Sequence, residues 1–355
     1  MVKHSLLKKG LVTAILVISV LAMFTAVASA GDPPCTCGNI CVNETGWWRH
    51  DGAFNASDTP IQAAVNNATS GETICVKDGM YHENVVVNVA HLTIRSQNGS
   101  ANCTVNASNS GDHVFNVAVD YVNISGFTVE NATGNWKAGI YLNGREHCNI
   151  SDNNVTNNFA GIYLSSSSNN NTLTNNNASN NTLYDFYSDE SSHDNVIEDL
   201  TIASYPTTIS FTYDQGIMIK GVTTPPADPA LKSNIDKYVN AANVTANSWL
   251  FLNVSYTDND VSDVEEDSLL LYRWNGTAWE LANATGKQNG VNTAGNYVYA
   301  NITSFSQIAP FGDPAPTPPP PPAPVPEYNT IGLLSLIGIL SVVLAVATMR
   351  KIKSK

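Results

Sequence analysis

The phrase Gly139-Ile140-Tyr141-Leu142 returns as Gly161-Ile162-Tyr163-Leu164, and Asp185-Phe186-Tyr187-Ser188 follows about 24 residues further on. A second phrase keeps the same time: Leu92-Thr93-Ile94, Val122-Asn123-Ile124, Cys148-Asn149-Ile150, Asn171-Thr172-Leu173 and Asn195-Val196-Ile197. A chain that repeats itself every 20 to 30 residues or so must stack equivalent units on one another. Each unit carries two or three short apolar-polar alternations divided by Asn, Ser, Gly and Asp, which is strand and turn chemistry without a helical period. A propeller blade needs about 40 residues, and a leucine-rich repeat needs a Leu framework that is missing here. The reading left is all-β: a right-handed parallel β-helix with Ile140, Leu142, Ile162 and Leu164 inside and Tyr141 and Tyr163 outside. Asn169-Asn170-Asn171 and Asn175-Asn176-Asn177 suit the bends, where amide side chains can hydrogen-bond from coil to coil.

A solenoid needs its first coil covered. Thr59-Pro60-Ile61-Gln62-Ala63-Ala64-Val65-Asn66-Asn67-Ala68 reads as an amphipathic helix capped by Thr59, burying Ile61, Ala64, Val65 and Ala68 over the open end. Thr73-Ile74-Cys75-Val76 then starts the first strand. The period holds to about residue 209. Beyond it come runs such as Leu250–Tyr256, Leu269–Trp274 and Tyr297–Ile302, with Asn275-Gly276 as a hairpin turn, read as a small β-sandwich over 210–313.

Both ends of the chain point to a membrane. Lys3, Lys8 and Lys9 precede an apolar run, and Ala28-Ser29-Ala30 supplies a cleavage site, so 1–30 is a signal peptide and 31–58 a cysteine-containing N-terminal segment. Residues 314–326 are a proline-rich spacer. Residues 327–355 are an anchor whose apolar stretch from Ile331 to Thr348 is long enough to span a bilayer, with Arg350, Lys351 and Lys353 behind it. The formal net charge of −13 excludes a nucleic-acid binder that relies on phosphate contacts.

The expected location is therefore the extracellular face of the membrane or the cell envelope. The six cysteines, Cys35, Cys37, Cys41, Cys75, Cys103 and Cys148, then default to disulfides among 15 possible pairings. Cys75 and Cys103, on related strands of successive coils, lie within reach of one another. About 18 Asn-x-Ser/Thr sequons, including Asn43, Asn67, Asn106, Asn123, Asn154, Asn177, Asn253 and Asn301, are glycosylation candidates.

Ile61-Gln62-Ala63-Ala64-Val65, Gly71-Glu72-Thr73-Ile74-Cys75-Val76, Gly79-Met80-Tyr81, Glu83-Asn84-Val85 and Val122-Asn123-Ile124-Ser125-Gly126-Phe127 resemble the NosD-like, pectin-lyase-type parallel β-helix family over residues 59 to about 210. The ending Val325-Pro326-Glu327-Tyr328-Asn329-Thr330 with its apolar run is similar to archaeal sorting tails of the Pro-Glu-Phe type, with Tyr328 in place of Phe. That resemblance implies a sorting transpeptidase as partner. The first implies surface proteins, copper-associated proteins or carbohydrate-active lyases and epimerases, and fold does not choose among them.

The residues argue for binding over catalysis. Lys137 and Arg145 are the only Lys or Arg between 114 and 200, and the Gly-His-Gly and Arg-x-Lys motifs of polygalacturonase-like enzymes are missing. Asp185, Asp189, Glu190, His193 and Asp194 form one acidic cluster with a histidine, open to a catalytic, calcium-binding or solvated-turn reading. Only Met80 and Met218 lie between the ends, and His91 and His147 sit two coils apart, so no copper site and no cofactor is expected. Tyr141, Tyr163 and Tyr187 recur outward on successive coils, either as a strip that stacks on sugar rings or as a ladder that stabilises the coil edge. The expected function is binding or adhesion to a polysaccharide or envelope glycoprotein. The alternatives are a surface polysaccharide lyase or epimerase, and a purely structural envelope component.

Overall fold

The computed structural model describes residues 36–202, 205–283, 288–316 and 339–349. The signal peptide, Cys35, most of the spacer, the sorting motif and residues 331–338 of the apolar stretch lie outside the described residues. Two units are distinguished, divided after Ala315. In the second, residues 339–349 are helical. Among the described residues no helix is long and apolar enough to cross a membrane.

The first unit is a parallel β-solenoid with three strand stacks. The first stack runs Thr73–Val76, Thr93–Ser96, Asn123–Ser125, Asn149–Ser151, Thr172–Thr174 and Val196–Ile202, with Ile74, Ile94, Ile124, Ile150, Leu173 and Ile197 in one column. The second runs Gly79–His82, Cys103–Asn106, Thr128–Glu130, Asn154–Thr156 and Asn177–Ser179. The third runs Val85–Val87, Phe115–Val117, Ala138–Asn143, Ala160–Ser165 and Tyr184–Ser188. Alternation along each short strand sends Ile, Leu and Val inward, where this column of the first stack is essentially inaccessible. The two phrases of the sequence repeat are thus the first and third stacks in register.

Backbone chemistry explains the polar spacing. Asp152, Asn175 and Asp199 take left-handed φ at equivalent bends, and Asn157 and Asn180 do so at the next, a conformation that Asn and Asp accept more readily than other side-chain-bearing residues. One position after Asp152, Asn157, Asn170, Asn175, Asn180 and Asp194, all with left-handed φ, the amides turn inward and ladder from coil to coil. Asn153 Nδ2 donates to Asn176 Oδ1 at 3.1 Å, Asn158 Nδ2 to Asn181 Oδ1 at 3.3 Å, and Asn171 Nδ2 to Asn195 Oδ1 at 3.0 Å. Each also satisfies main-chain groups of its neighbours, as buried polar groups must. The glycines of the repeat leave room for the coil's contents: a Cβ on Gly139 would meet the Val155 side chain and the Asn158 amide, and one on Gly161 the Asp185 main-chain carbonyl and the Asn181 amide.

The first end of the solenoid is covered by a helix, an amide side chain paired with the edge strand, and a hairpin. Helix α1 (Pro60–Asn67) lies over the first coil, burying Ile61, Ala64 and Val65, but Thr59 makes no side-chain cap. Glu83 caps the helix instead: its buried carboxylate accepts the Ile61 and Gln62 N–H groups, both at 2.9 Å. Gln62 in turn pairs with the edge strand, accepting the Val86 N–H and donating to the Val86 carbonyl, so an amide side chain replaces the missing strand. The first stack does not begin at Thr73, because Ile40–Asn43 pairs parallel to Thr73–Val76 and antiparallel to Gly46–Arg49.

This hairpin is tied down by a Cys37–Cys75 disulfide with Cα atoms 5.7 Å apart. Cys41 is also disulfide-bonded. The expected Cys75–Cys103 proximity is corrected: Cys75 lies in the first stack and Cys103 opposite Gly79 in the second, and Cys103 and Cys148 are buried free thiols.

After Ile202 pairing turns antiparallel without a break in either sheet. Thr207–Tyr213 pairs with Val196–Ile202 and leads to Leu250–Ser255, Tyr297–Ile302 and Asn289–Asn292. Ile217–Gly221 pairs with Tyr184–Ser188 and leads to Val239–Asn243, Gln307–Gly312, Leu270–Trp274 and Trp279–Leu281. The strands from Thr207–Tyr213 onward pair antiparallel and continue the solenoid's own two sheets, and one apolar core cluster runs from the coils into them.

Candidate functional site

The outward face of the third stack carries the candidate site. Register places Tyr141, Tyr163 and Tyr187 in one column, ring centroids 5.0 Å and 4.8 Å apart. Successive rings are tilted by 52° and 87°, so each leans an edge on its neighbour and all three are half-buried. Tyr141 also shares a hydrogen bond of 2.8 Å with Ser165. Burial, foremost, pushes the Tyr163 phenol up to about 12 and raises Tyr187 as well.

A fourth ring completes the strip. The connection 131–137 is longer than its counterpart 157–159 in the next coil, and Trp136, at φ 59°, is lifted out on it. Its ring lies 6.4 Å from Tyr163, 6.5 Å from Tyr184 and 5.9 Å from Tyr187, and the residue is 45% exposed. Tyr184 is itself 5.3 Å from Tyr187. Sequence reasoning missed Trp136 and Tyr184. The available signal was the extra length before Gly139, which an aromatic in a Gly-Asn-Trp-Lys loop marks as a surface feature.

At the Tyr141 end, His113 stacks on Tyr141 with centroids 4.1 Å apart, and its Nδ1 accepts the Ala138 N–H at 3.0 Å. Burial, then the Lys137 ammonium, drives its imidazole down to about 4, so the ring is neutral. Above the ordinary value of about 6.5 this group adds no pH dependence, and as pH falls from there towards 4 the unfolded chain takes up a proton that the folded one refuses. Stability falls over that window, by roughly 3 kcal/mol in all. In an NMR titration the His113 ring signals should stay in the neutral position at pH 5.5 and move only near 4; a midpoint near 6.5 would contradict this.

The acidic cluster is not one site. Asp185 is 1% exposed and ends an asparagine ladder: it stands where Gly139 and Gly161 stand in the repeat, and its carboxylate accepts the Asn181 Nδ2–H at 3.1 Å and the Gly221 N–H at 2.8 Å, with Lys220 nearby. Burial raises its pKa against the pull of Lys220. Asp189 is held by the turn, accepting from Ser166, Ser191 and Ser192. Glu190 is exposed beside it, and His193 and Asp194 pair with one another at 2.7 Å on the next exposed bend. Among the described residues no three His, Cys, Asp or Glu side chains gather as metal ligands.

His91 and His147 are equivalent positions two coils apart, as their spacing suggests, with Tyr121 stacked between them at 4.6 Å and 4.9 Å. Of the sequon asparagines, Asn106, Asn123 and Asn154 donate their Nδ2, the atom a glycan would occupy, to Glu130, Thr93 and Thr128 on neighbouring coils. Asn67 is exposed at the end of α1, and Asn43 turns its Oδ1 towards Thr45.

Residues 65–301 match the family described as "Periplasmic copper-binding protein (NosD)". Among solved structures the chain is similar to pectin methylesterase PemA from Erwinia chrysanthemi, at 12% identity and a TM-score of 0.37 over 46% of this chain and 54% of that one. It is similar also to pectin methylesterase from carrot, at 16% identity and a TM-score of 0.34 over 49% and 53% of the two chains. The chain spans about half the length of the solved structures it matches. No curated protein matches it. The fold assignment rests on the strand pairings described above.

Proposed function

We propose a function from one premise: the chain belongs to the NosD family, whose description places its members in the periplasm. On that premise it is a carbohydrate-binding or adhesive protein of the cell envelope, exported by its signal peptide, glycosylated on part of its sequons and held at the membrane by its C-terminal tail. The tail's likeness to archaeal sorting signals supports attachment through a transpeptidase. The observation that carries binding is the outward strip in which Trp136 stands over Tyr163, Tyr184 and Tyr187, because half-exposed aromatic faces stack on the apolar faces of sugar rings.

Copper, in the family's description, does not fit the donors among the described residues. Cys103 and Cys148 are buried thiols raised by burial to about 12 and about 11, in different parts of the coil. Met80 lies outward on the second stack and Met218 beside Tyr187, while Tyr121 separates His91 from His147. Soft-metal sites need several such donors together.

The test is electrophoresis of the full chain in detergent through gels cast with neutral, acidic and amino polysaccharides, with polymer size measured afterwards. Retardation by at least one polymer that keeps its length is expected. Unretarded migration in all gels would refute binding, and a shortened polymer with unsaturated ends would make the protein a lyase.

A further inference from the structure

Two sequons lie among aromatic rings on the C-terminal strands. Asn253 in Leu250–Ser255 and Asn301 in Tyr297–Ile302 sit on the outward face of an antiparallel pair, and Phe251 and Tyr299 precede them by two residues on the same face. The register crosses the pair: Asn301 lies opposite Phe251, Asn253 opposite Tyr299, and Ser255 opposite Tyr297. Asn253 therefore holds the middle rung of three, with a ring on each rung, and side chains directly opposite start about 5 Å apart. The rings adjoin, with centroids 6.2 Å apart for Phe251 and Tyr299 and again for Tyr297 and Tyr299, and all three are half-buried.

The amide of Asn253 is turned the right way for modification. Its Oδ1 is buried, while its Nδ2 donates to no described residue and is the atom that reaches solvent. Asn123 also follows a ring by two positions, Tyr121, but its Nδ2 is spent on Thr93 Oγ1 at 3.0 Å. Beside Asn253 the face is concave: an open groove of about 420 Å³ runs over Phe251, Tyr299 and Tyr297 to Asn292, Thr293 and Ala294. Asn292 Nδ2 donates to the Tyr297 hydroxyl at 2.8 Å, so an aromatic floor meets a polar rim. That is the size and make-up of a site for a small polar ligand with apolar faces.

We propose that Asn253 carries an N-linked glycan whose first sugar packs into this groove, on Phe251, Tyr297 and Tyr299. This rests on the glycoprotein reading above and names the sequon and the surface that receives the sugar. The donor is an oligosaccharide linked through C1 to a lipid diphosphate. The C1–O bond breaks, the diphosphate oxygen keeps the electron pair, the Asn253 Nδ2–C1 bond forms, and the amide nitrogen gives up one proton. Tethering then holds the sugar at high local concentration, so rings too few to capture a free saccharide suffice to seat this one.

The test is glycopeptide mapping by mass spectrometry of the full chain isolated in detergent from its native membranes, followed by thermal unfolding of variants made in the same cells. The peptide holding Asn253 should carry a glycan. Asn253→Gln and Ser255→Ala, which remove the sequon in two ways, should each lower the melting temperature by about 3 °C. Phe251→Ala should lower it by about 4 °C in the glycosylated chain and by under about 2 °C once Ser255→Ala has removed the glycan. Glycans on none of the sequons would overturn the glycoprotein reading together with this proposal. Glycans elsewhere with Asn253 bare would overturn the proposal alone, and equal losses from Phe251→Ala in both backgrounds would overturn the packing of the sugar on the rings.

Discussion

Asn158→Ala should lower the free energy of unfolding by about 4 kcal/mol, the largest effect expected of any single substitution in the solenoid. The Asn158 side chain is inaccessible and makes four bonds at once. Its Oδ1 accepts the Ala132 N–H at 2.9 Å, and its Nδ2 donates to the Val129 carbonyl, the Thr156 carbonyl and Asn181 Oδ1. Alanine would strand a buried N–H and buried carbonyls, each costing about 1 to 3 kcal/mol, and would open a void between coils. Asn154→Ala is the control, since Asn154 sits half-exposed on the outer face with one bond of 3.3 Å to Thr128, and it should cost under about 0.5 kcal/mol. Urea unfolding of the two variants compares them directly. Equal stability would mean that the ladders do not hold the coils together.

Cys37→Ala should cost about 2 to 4 kcal/mol, with the loss concentrated in the N-terminal hairpin. The bond closes a loop with a sequence separation of 38, which in the chain-entropy account is worth about 4 kcal/mol. It also holds Ile40–Asn43 against the edge of the first stack, and Arg95 adds a bond to the Cys37 carbonyl at 2.8 Å. Limited proteolysis should cut first within 36–58 in the variant and not in the wild type. An unchanged cleavage pattern and stability within about 1 kcal/mol would show that the strand pairing and α1 suffice to hold the end closed.

Much of the solenoid was legible because its repeat is physical. Ile94, Ile124, Ile150, Leu173 and Ile197 align in the sequence and stack in the coil, since register is fixed by which face of each strand is buried. The ladder positions Asn171 and Asn176 were legible for the same reason. Asp185 was not: as the third copy of a Gly position it reads as an exposed acid, and only the antiparallel strand Ile217–Gly221 laid against it makes it a buried terminus. The continuity of the C-terminal sheets with the solenoid depends on pairings between distant strands, which no local pattern announces. Cysteine pairing failed likewise, because Cys37 reaches Cys75 only through a hairpin whose docking the sequence does not encode locally. At the candidate site the tyrosine column followed from period alone, whereas Trp136 came from an irregularity in that period.

The central claim is that the aromatic strip is a binding surface rather than an edge that only stabilises the coil. The measurement that tests it most directly is saccharide affinity of wild type and Trp136→Ala, taken beside their melting temperatures. Trp136 is 45% exposed on a loop, so its loss should leave the melting temperature within about 2 °C while weakening binding at least tenfold. A variant that binds as the wild type does, or one that loses binding only by unfolding, would contradict the account.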